Sequence, residues 1–351
     1  MSSDLVQVTA EGALGRIHLN RPEALNSLNL DMIRAIAEAL DRFEAEDAVR
    51  AIALTGEGRA LCAGGDIKMI WRIGRTEPES ALQFWAEEYR LNARIARARK
   101  PWVAVMDGIC MGGGVGLSVH GSHRVVTERT RFAMPETGIG YFPDVGGCFP
   151  LARAPHRFGF WIALTGEAIG AADTLAAGLA DAAIASASIP QLLADLSEGR
   201  NPDEALAALR VDPGPSRLLP HAALIERVFA ARDMGAILDA LRRDASPFAA
   251  ETLALLDAKS PTSLVLTLHR LHEALDLPDL EACLDRDYAA DAAILRGCDF
   301  YEGVRAAVIE KDRNPVWHPA SLSGVDRAAL LASLHPQASL FAAPPSAVER
   351  T

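Results

Sequence analysis

Along the first half of the chain, short apolar and β-branched runs alternate with stretches in which apolar residues return every three to four positions. A period of two marks a strand and one near 3.6 marks a helix, so the alternation from residue 5 to about 185 predicts strands joined by helical crossovers, an α/β pattern. Residues 6–8 and 16–19 read as strands meeting through Glu11-Gly12, and residues 51–54, 103–106 and 124–126 as further strands. Residues 29–43 read as a helix whose inner face is Met32, Ile33, Ile36, Leu40 and Phe43. Beyond 186 the punctuation changes. Residues 192–196, 205–209, 222–229, 237–241 and 252–256 are helix-like, with Pro or Gly between them, so 186–340 is expected to be mainly helical. Pro190, Pro202 and Pro213-Gly214-Pro215 compete as the boundary, and 341–351, with two prolines, is expected to be a flexible tail.

Composition narrows the function. With 351 residues and 50% hydrophobic content the chain buries a large core, and 46 acidic against 35 basic residues give a net charge of −11. Such a surface disfavours nucleic acid and anionic membranes as partners. Five scattered cysteines, Cys62, Cys110, Cys148, Cys283 and Cys298, form no Cys-x-x-Cys pair, so neither a disulfide framework nor a zinc cluster is suggested. The opening MSSDLVQVTAEG has neither signal- nor transit-peptide character, and no apolar run approaches the roughly 20 residues that span a bilayer. A cytoplasmic protein without a metal site is expected.

Two glycine-rich turns follow strand candidates: Ala60-Leu61-Cys62-Ala63-Gly64-Gly65-Asp66-Ile67 and Met111-Gly112-Gly113-Gly114-Val115-Gly116. A pair of turns that each aim a backbone N–H at one point makes a site for a carbonyl oxygen that becomes an oxyanion. No Gly-Lys-Ser/Thr, strand-linked G-x-G-x-x-G or G-x-S-x-G is present, so phosphate loops, dinucleotide folds and the serine elbow lose their support. Between residues 132 and 147, Glu136 and Asp144 lie among prolines, glycines and apolar side chains. Surroundings of that kind desolvate a carboxylate and raise its pKa, as suits a general base or nucleophile.

With ALCAGGDI, MGGGVGL and MPETGIG in this order, residues 10 to 185 resemble the crotonase, or enoyl-CoA hydratase/isomerase, superfamily. The resemblance implies a crotonase-like spiral of ββα units and an acyl-CoA substrate, with CoA as part of the substrate and no separate cofactor. It places the oxyanion hole on Gly65 and Gly113. Ala63, Asp66 and Ile67 fall along the CoA, as do Arg21 and Ala24 in Asn20-Arg21-Pro22-Glu23-Ala24. Hydratases of this superfamily carry a glutamate at the position of Gly116, so ordinary hydration is put in doubt while Glu136 keeps the second acid. FPDVGG, the stretch 86–92, Ser260-Pro261-Thr262-Ser263-Leu264, Gly303-Val304-Arg305-Ala306 and the surroundings of Lys311-Asp312 and Trp317 are similar to the 3-hydroxyisobutyryl-CoA hydrolase branch, which has Asp where this chain has Glu310. The implied reaction is thioester hydrolysis, with a place in valine degradation. Glu136 attacks the carbonyl or activates water, Asp144 positions water or the substrate hydroxyl, and Glu88 and Gly113 complete the acyl site.

Other features invite weaker readings. His120 and His123 suggest a metal pair but have no third ligand nearby, and His269 and His272 read as surface or packing residues. Cys62 and Cys110 read as buried small apolar residues. The run Arg94, Arg97, Arg99, Lys100 reads as a solvated helix face. An enoyl-CoA isomerase with one acid, and a noncatalytic acyl-CoA-binding scaffold, are the rival functions; a homo-oligomer is left open.

Overall fold

The computed structural model describes residues 4–334 and 338–342. Among the described residues nine strands form two sheets. The larger contains β1 (Val6–Glu11), β2 (Leu14–Leu19), β3 (Ala51–Gly56), β5 (Trp102–Met106), β7 (His123–Val126) and β9 (Ala182–Ala183), side by side in that order. The smaller contains β4 (Ala60–Cys62), β6 (Ile109–Met111) and β8 (Arg131–Ala133). Apart from the β1–β2 hairpin every pairing between these strands is parallel. Each long strand from β3 onward is followed by a short one that enters the second sheet, and a helical segment leads to the next repeat. This is the expected spiral of ββα units.

The strand residues alternate between two cores, as a period of two requires. Ile52, Leu54, Ala104 and Met106 face the main core, whereas Ala51, Ala53, Val103 and Val105 face a second one. The second core is closed by Leu192 and Leu196 of helix Ile189–Ser197 and by Ala205 and Leu206 of helix Pro202–Leu209. The main core runs without a break from Val6 to Val304, so the mainly helical half packs directly on the strand-bearing half. The apolar stripe expected over 29–43 forms helix Leu30–Ala45. Asn29 caps it by accepting the Met32 N–H at 2.9 Å, an interaction worth about 1 kcal/mol.

One glycine-rich segment differs from expectation. The second turn is confined to Gly112, whose φ of 50° suits glycine, and residues 113–118 already form a short buried helix. Of the expected tail, residues 343–351 lie outside the described ones. Leu340, just before it, is tied down, its N–H donating to Asp285 at 2.8 Å and its carbonyl accepting from Arg90 at 3.2 Å, and Phe341, the first residue of that tail, packs against the main core.

Candidate active site

The ends of the small sheet aim two backbone segments at each other. Leu28 pairs with Gly65 as an isolated parallel bridge, Leu28 N–H donating to the Gly64 carbonyl at 2.8 Å and Asp66 N–H to the Leu28 carbonyl at 2.7 Å. Neither the Gly65 nor the Gly113 N–H donates to another described backbone carbonyl. A Cβ built on Gly113 would lie 3.2 Å from the Gly65 nitrogen and would overlap Glu88 Oε1. Only glycine at 113 therefore leaves the space in which two amides converge, the arrangement an oxyanion requires.

Three carboxyls meet in this space. Glu88 comes from helix Pro78–Ala96, Glu136 from the short turn Glu136–Ile139, and Asp144 from the loop after it. They line one pocket of about 100 Å³ with Ala63, Gly65, Ile67, Gly113 and apolar Ile70, Phe84, Trp85 and Ile139. That volume is roughly three water molecules' share of the liquid, room for a short acyl group. The carboxyls are between 2 and 6% exposed, and Glu88 Oε1 and Glu136 Oε2 have no hydrogen-bond partner among the described residues. Burial, followed by the nearby charge of Asp144, pushes Glu88 and Glu136 well above the usual carboxylate range. Burial pushes Asp144 up to about 7, with Asp287 adding to the shift.

The Asp144 loop is held from several sides. Val145 has φ 53°, a strained value for a β-branched residue. Its carbonyl accepts from His120 Nε2 at 2.8 Å, an imidazole that burial keeps neutral by lowering its pKa to about 4. Gly146 N–H donates to Asp287 Oδ2 at 2.8 Å, and Asp287 is paired at 2.7 Å with the fully buried Arg270. The Glu136 turn leans on the second half of the chain. Ser260 N–H donates to the Thr137 carbonyl at 3.2 Å, and Gly303 lies against the Ile139 backbone too closely for a Cβ. Arg305 gathers Glu302, Glu310 and Asp312 around it, at 2.8, 2.5 and 2.7 Å.

The other residues singled out from sequence fall as follows. Ala63 and Ile67 line the pocket. Asp66 is occupied in capping helix Ile67–Ile73 and in pairing with Arg21 at 3.0 Å. Arg21 also donates to the Ser27 carbonyl, while Ala24 ends the turn Pro22–Ala24; neither lines the pocket. His123 pairs with Asp203 and Ser122, and His272 packs edge-on against Phe160. Cys62 and Cys110 are buried, and burial pushes Cys110 up to about 12 and Cys62 further. The basic run is largely neutralised within the fold: Arg94 pairs with Asp41, Arg97 with Glu281 and Arg99 with Glu44, and Lys100 donates to the carbonyls of Phe43 and Glu46.

A model of the enoyl-CoA hydratase/isomerase family matches residues 14–334. The chain belongs to that family. Among curated relatives it is 42% identical over 329 residues to the mitochondrial 3-hydroxyisobutyryl-CoA hydrolase of Xenopus tropicalis, spanning 91% of this chain and 85% of that one. It is 40% identical over 335 residues to the protein of the same name from Homo sapiens, spanning 92% and 86%. Among solved structures, a carnitinyl-CoA dehydratase from Mycobacterium thermoresistibile superposes with a TM-score of 0.92 at 41% identity, covering 96% of this chain and 98% of that one. An enoyl-CoA hydratase from Rhodobacter sphaeroides 2.4.1 does so with 0.89 at 38% identity, again over 96% and 98%.

Within the family's spiral, position 116 does not supply the second acid of this pocket. A Cβ at position 116 would meet Asn92 Nδ2 and Val145 Cβ at 2.8 Å each, so a glutamate there has no room. The carboxyl is supplied by Glu88 on a neighbouring helix, one turn before Asn92. Tyr89, Asn92 and Tyr141, which lie in stretches singled out from sequence but were given no role there, and Asp287 and Asp291, which were not singled out, surround the acids. A usable signal existed for the last two: Asp287 and Asp291 interrupt an apolar stripe, Leu280, Leu284 and Ile294, on helix Leu280–Ile294.

Proposed function

We propose that the chain hydrolyses a short 3-hydroxyacyl-CoA thioester, with 3-hydroxyisobutyryl-CoA as the substrate, to the hydroxy acid and free CoA. One observation carries the reading: a buried carboxyl, Glu136, with an unpartnered oxygen in a small pocket flanked by the two unoccupied amides of Gly65 and Gly113. The names of the relatives agree with it. In this reading the amides hold the thioester oxygen as it gains charge, and Glu136 attacks the carbonyl carbon or takes a proton from the attacking water. Asp144 and Glu88 face the acyl group and meet its hydroxyl, so that an acyl group lacking one leaves a buried acid unpaired. Arg21, Ala24, Ala63, Asp66 and Ile67 lie toward the CoA, which is substrate and not a resident cofactor.

The test is thiol release from 3-hydroxyisobutyryl-CoA beside crotonyl-CoA, with Glu136→Gln as the control. Release from the first that is lost in the variant is the expected result; a wild-type chain that releases none overturns the reading. A second reading, hydration or dehydration, is favoured by Glu88, which restores two carboxyls to the pocket, and by the names of the two solved structures. Water addition to crotonyl-CoA without thiol release would select it. The relatives are named mitochondrial; for this chain the cytoplasm and a role in valine breakdown are part of the proposal, and fractionation of cells tests the first. Among the described residues no helix is long and apolar enough to cross a membrane.

A further inference from the structure

Asp291, from helix Leu280–Ile294, does not line the pocket, yet it is 0% exposed and lies across two tyrosines from a residue that does. Tyr89 Oη is 2.8 Å from Asp291 Oδ2 and 3.0 Å from Asp144 Oδ2. Tyr141 Oη bonds Asp291 Oδ1 and lies 3.3 Å from Asp144 Oδ2. Two hydroxyls thus make four contacts with two carboxyls. A hydroxyl has one hydrogen, so the tyrosines fill two of the four, and a further bond requires a hydrogen on a carboxyl. The geometry apportions them. Asp291 meets one hydroxyl with each oxygen, at the shorter separations; Asp144 meets both with Oδ2 alone, at the longer ones. The arrangement with least conflict has both tyrosines donating to an ionised Asp291 and a protonated Asp144 donating from Oδ2 to the Tyr89 oxygen. Two ionised carboxylates here would face each other with little solvent between them.

We propose that Asp291 is a positioning residue that shares one proton with Asp144 through Tyr89 and Tyr141. The exchange makes and breaks only O–H bonds. The Asp144 Oδ2–H bond breaks as a hydrogen joins the Tyr89 oxygen, Tyr89 passes its own hydrogen to Asp291 Oδ2, and the negative charge moves from Asp291 to Asp144. Asp144 then alternates between neutral donor and anion without drawing on bulk water, and while neutral it lifts the repulsion that opposes ionisation of Glu136 before the thioester. That last consequence rests on the hydrolase reading. The other titratable groups facing the pair are Glu88 and Glu136 on the pocket side, Asp287 with its partner Arg270, Tyr288 on the helix of Asp291, and His120 behind Val145. Burial and the Asp144 charge both raise the Asp291 pKa, as a shared proton requires.

Asp291→Asn keeps the shape and removes the exchangeable charge. In the full chain we expect the alkaline limb of the kcat/KM profile to move about one unit toward acid, because the repulsion that holds the Asp144 proton is gone. At neutral pH kcat falls about tenfold with KM little changed, and Asp291→Glu recovers part of the loss. A folded Asp291→Asn chain with the wild-type profile overturns the proposal. Infrared titration of the substrate-free chain provides a readout independent of the reaction. The protonated-carboxyl stretch lost in Asp144→Asn should titrate at lower pH in Asp291→Asn and in Tyr89→Phe, and a midpoint unmoved in both overturns the proposal even if Asp291→Asn alone misfolds. Failure of wild type to release thiol would instead sink the hydrolase reading and leave this titration standing.

Discussion

A side chain at position 116 would place its Cβ 2.8 Å from the Cβ of Val145, the residue next to Asp144. Gly116 and Val145 are therefore matched, and the matching excludes a glutamate at the place where a hydratase carries one. Gly116→Glu is expected to unfold the chain or to cost more than the ~1–3 kcal/mol typical of overpacking, and to add no water to crotonyl-CoA. Thermal melts and a hydration assay check both parts.

Glu136→Gln retains shape and loses the basic oxygen. It is expected to lower thiol release by at least about 100-fold while melting within a few degrees of wild type, since the buried oxygen it alters has no protein partner to lose. Release at the wild-type rate would remove Glu136 from the chemistry.

Gly113→Ala is expected to cut kcat more than it raises KM. The added methyl overlaps Glu88 Oε1 and narrows the gap to the Gly65 amide, where charge develops only in the transition state. Steady-state kinetics on the same thioester separate the two parameters.

Stability should depend on pH in an unusual direction. His18, His120, His269 and His272 have pKa values lowered from 6.5, so their share of stability rises with pH and is complete by about pH 7. The buried carboxyls have raised values, Asp144 to about 7 and Asp287 to about 6, with Glu88, Glu136 and Asp291 also raised. A raised acid stabilises the fold while protonated, and that contribution is lost as pH rises through its folded value. Melting temperature is expected to fall as pH rises between roughly 4 and 7, where the raised acids outweigh the histidines, by less in Asp144→Asn. A flat curve there would contradict the raised values.

Arg270→Met leaves Asp287 charged and unpaired in the core, with a cost of about 3–5 kcal/mol. Adding Asp287→Leu should return much of it, although the Gly146 N–H then lacks its acceptor. Chemical denaturation of the two variants measures the difference.

Much of this was legible from residue order. Period-two runs located the long strands, the stripe from Met32 to Phe43 located its helix, and the two glycine segments with Glu136 and Asp144 located one pocket. What stayed hidden were contacts between residues far apart in the chain. Nothing near Tyr89 announces Asp291, and nothing near Thr137 announces Ser260. A local period can mark Asp291 as unusual on its own helix but cannot name its partner, and each pairing exists only after the helical half has folded against the strands. The short helix at 113–118 was also invisible, because glycine is a poor helix former and only burial against Cys62 and Asn92 makes it one.

Helix Phe158–Thr165 is buried along its whole length, with Trp161 bonded to Thr252 and Thr165 at its end. During synthesis this segment emerges well before the residues from 247 onward that enclose it. A ribosome-bound chain of about half length would present an oily rod to the cytosol, with the Glu136 turn still lacking the Ser260 and Gly303 supports. Until those later residues are made, this apolar surface has no partner within the chain, the condition under which incomplete chains aggregate. A truncation that removes the last third would be felt first as insolubility and only secondarily as lost turnover.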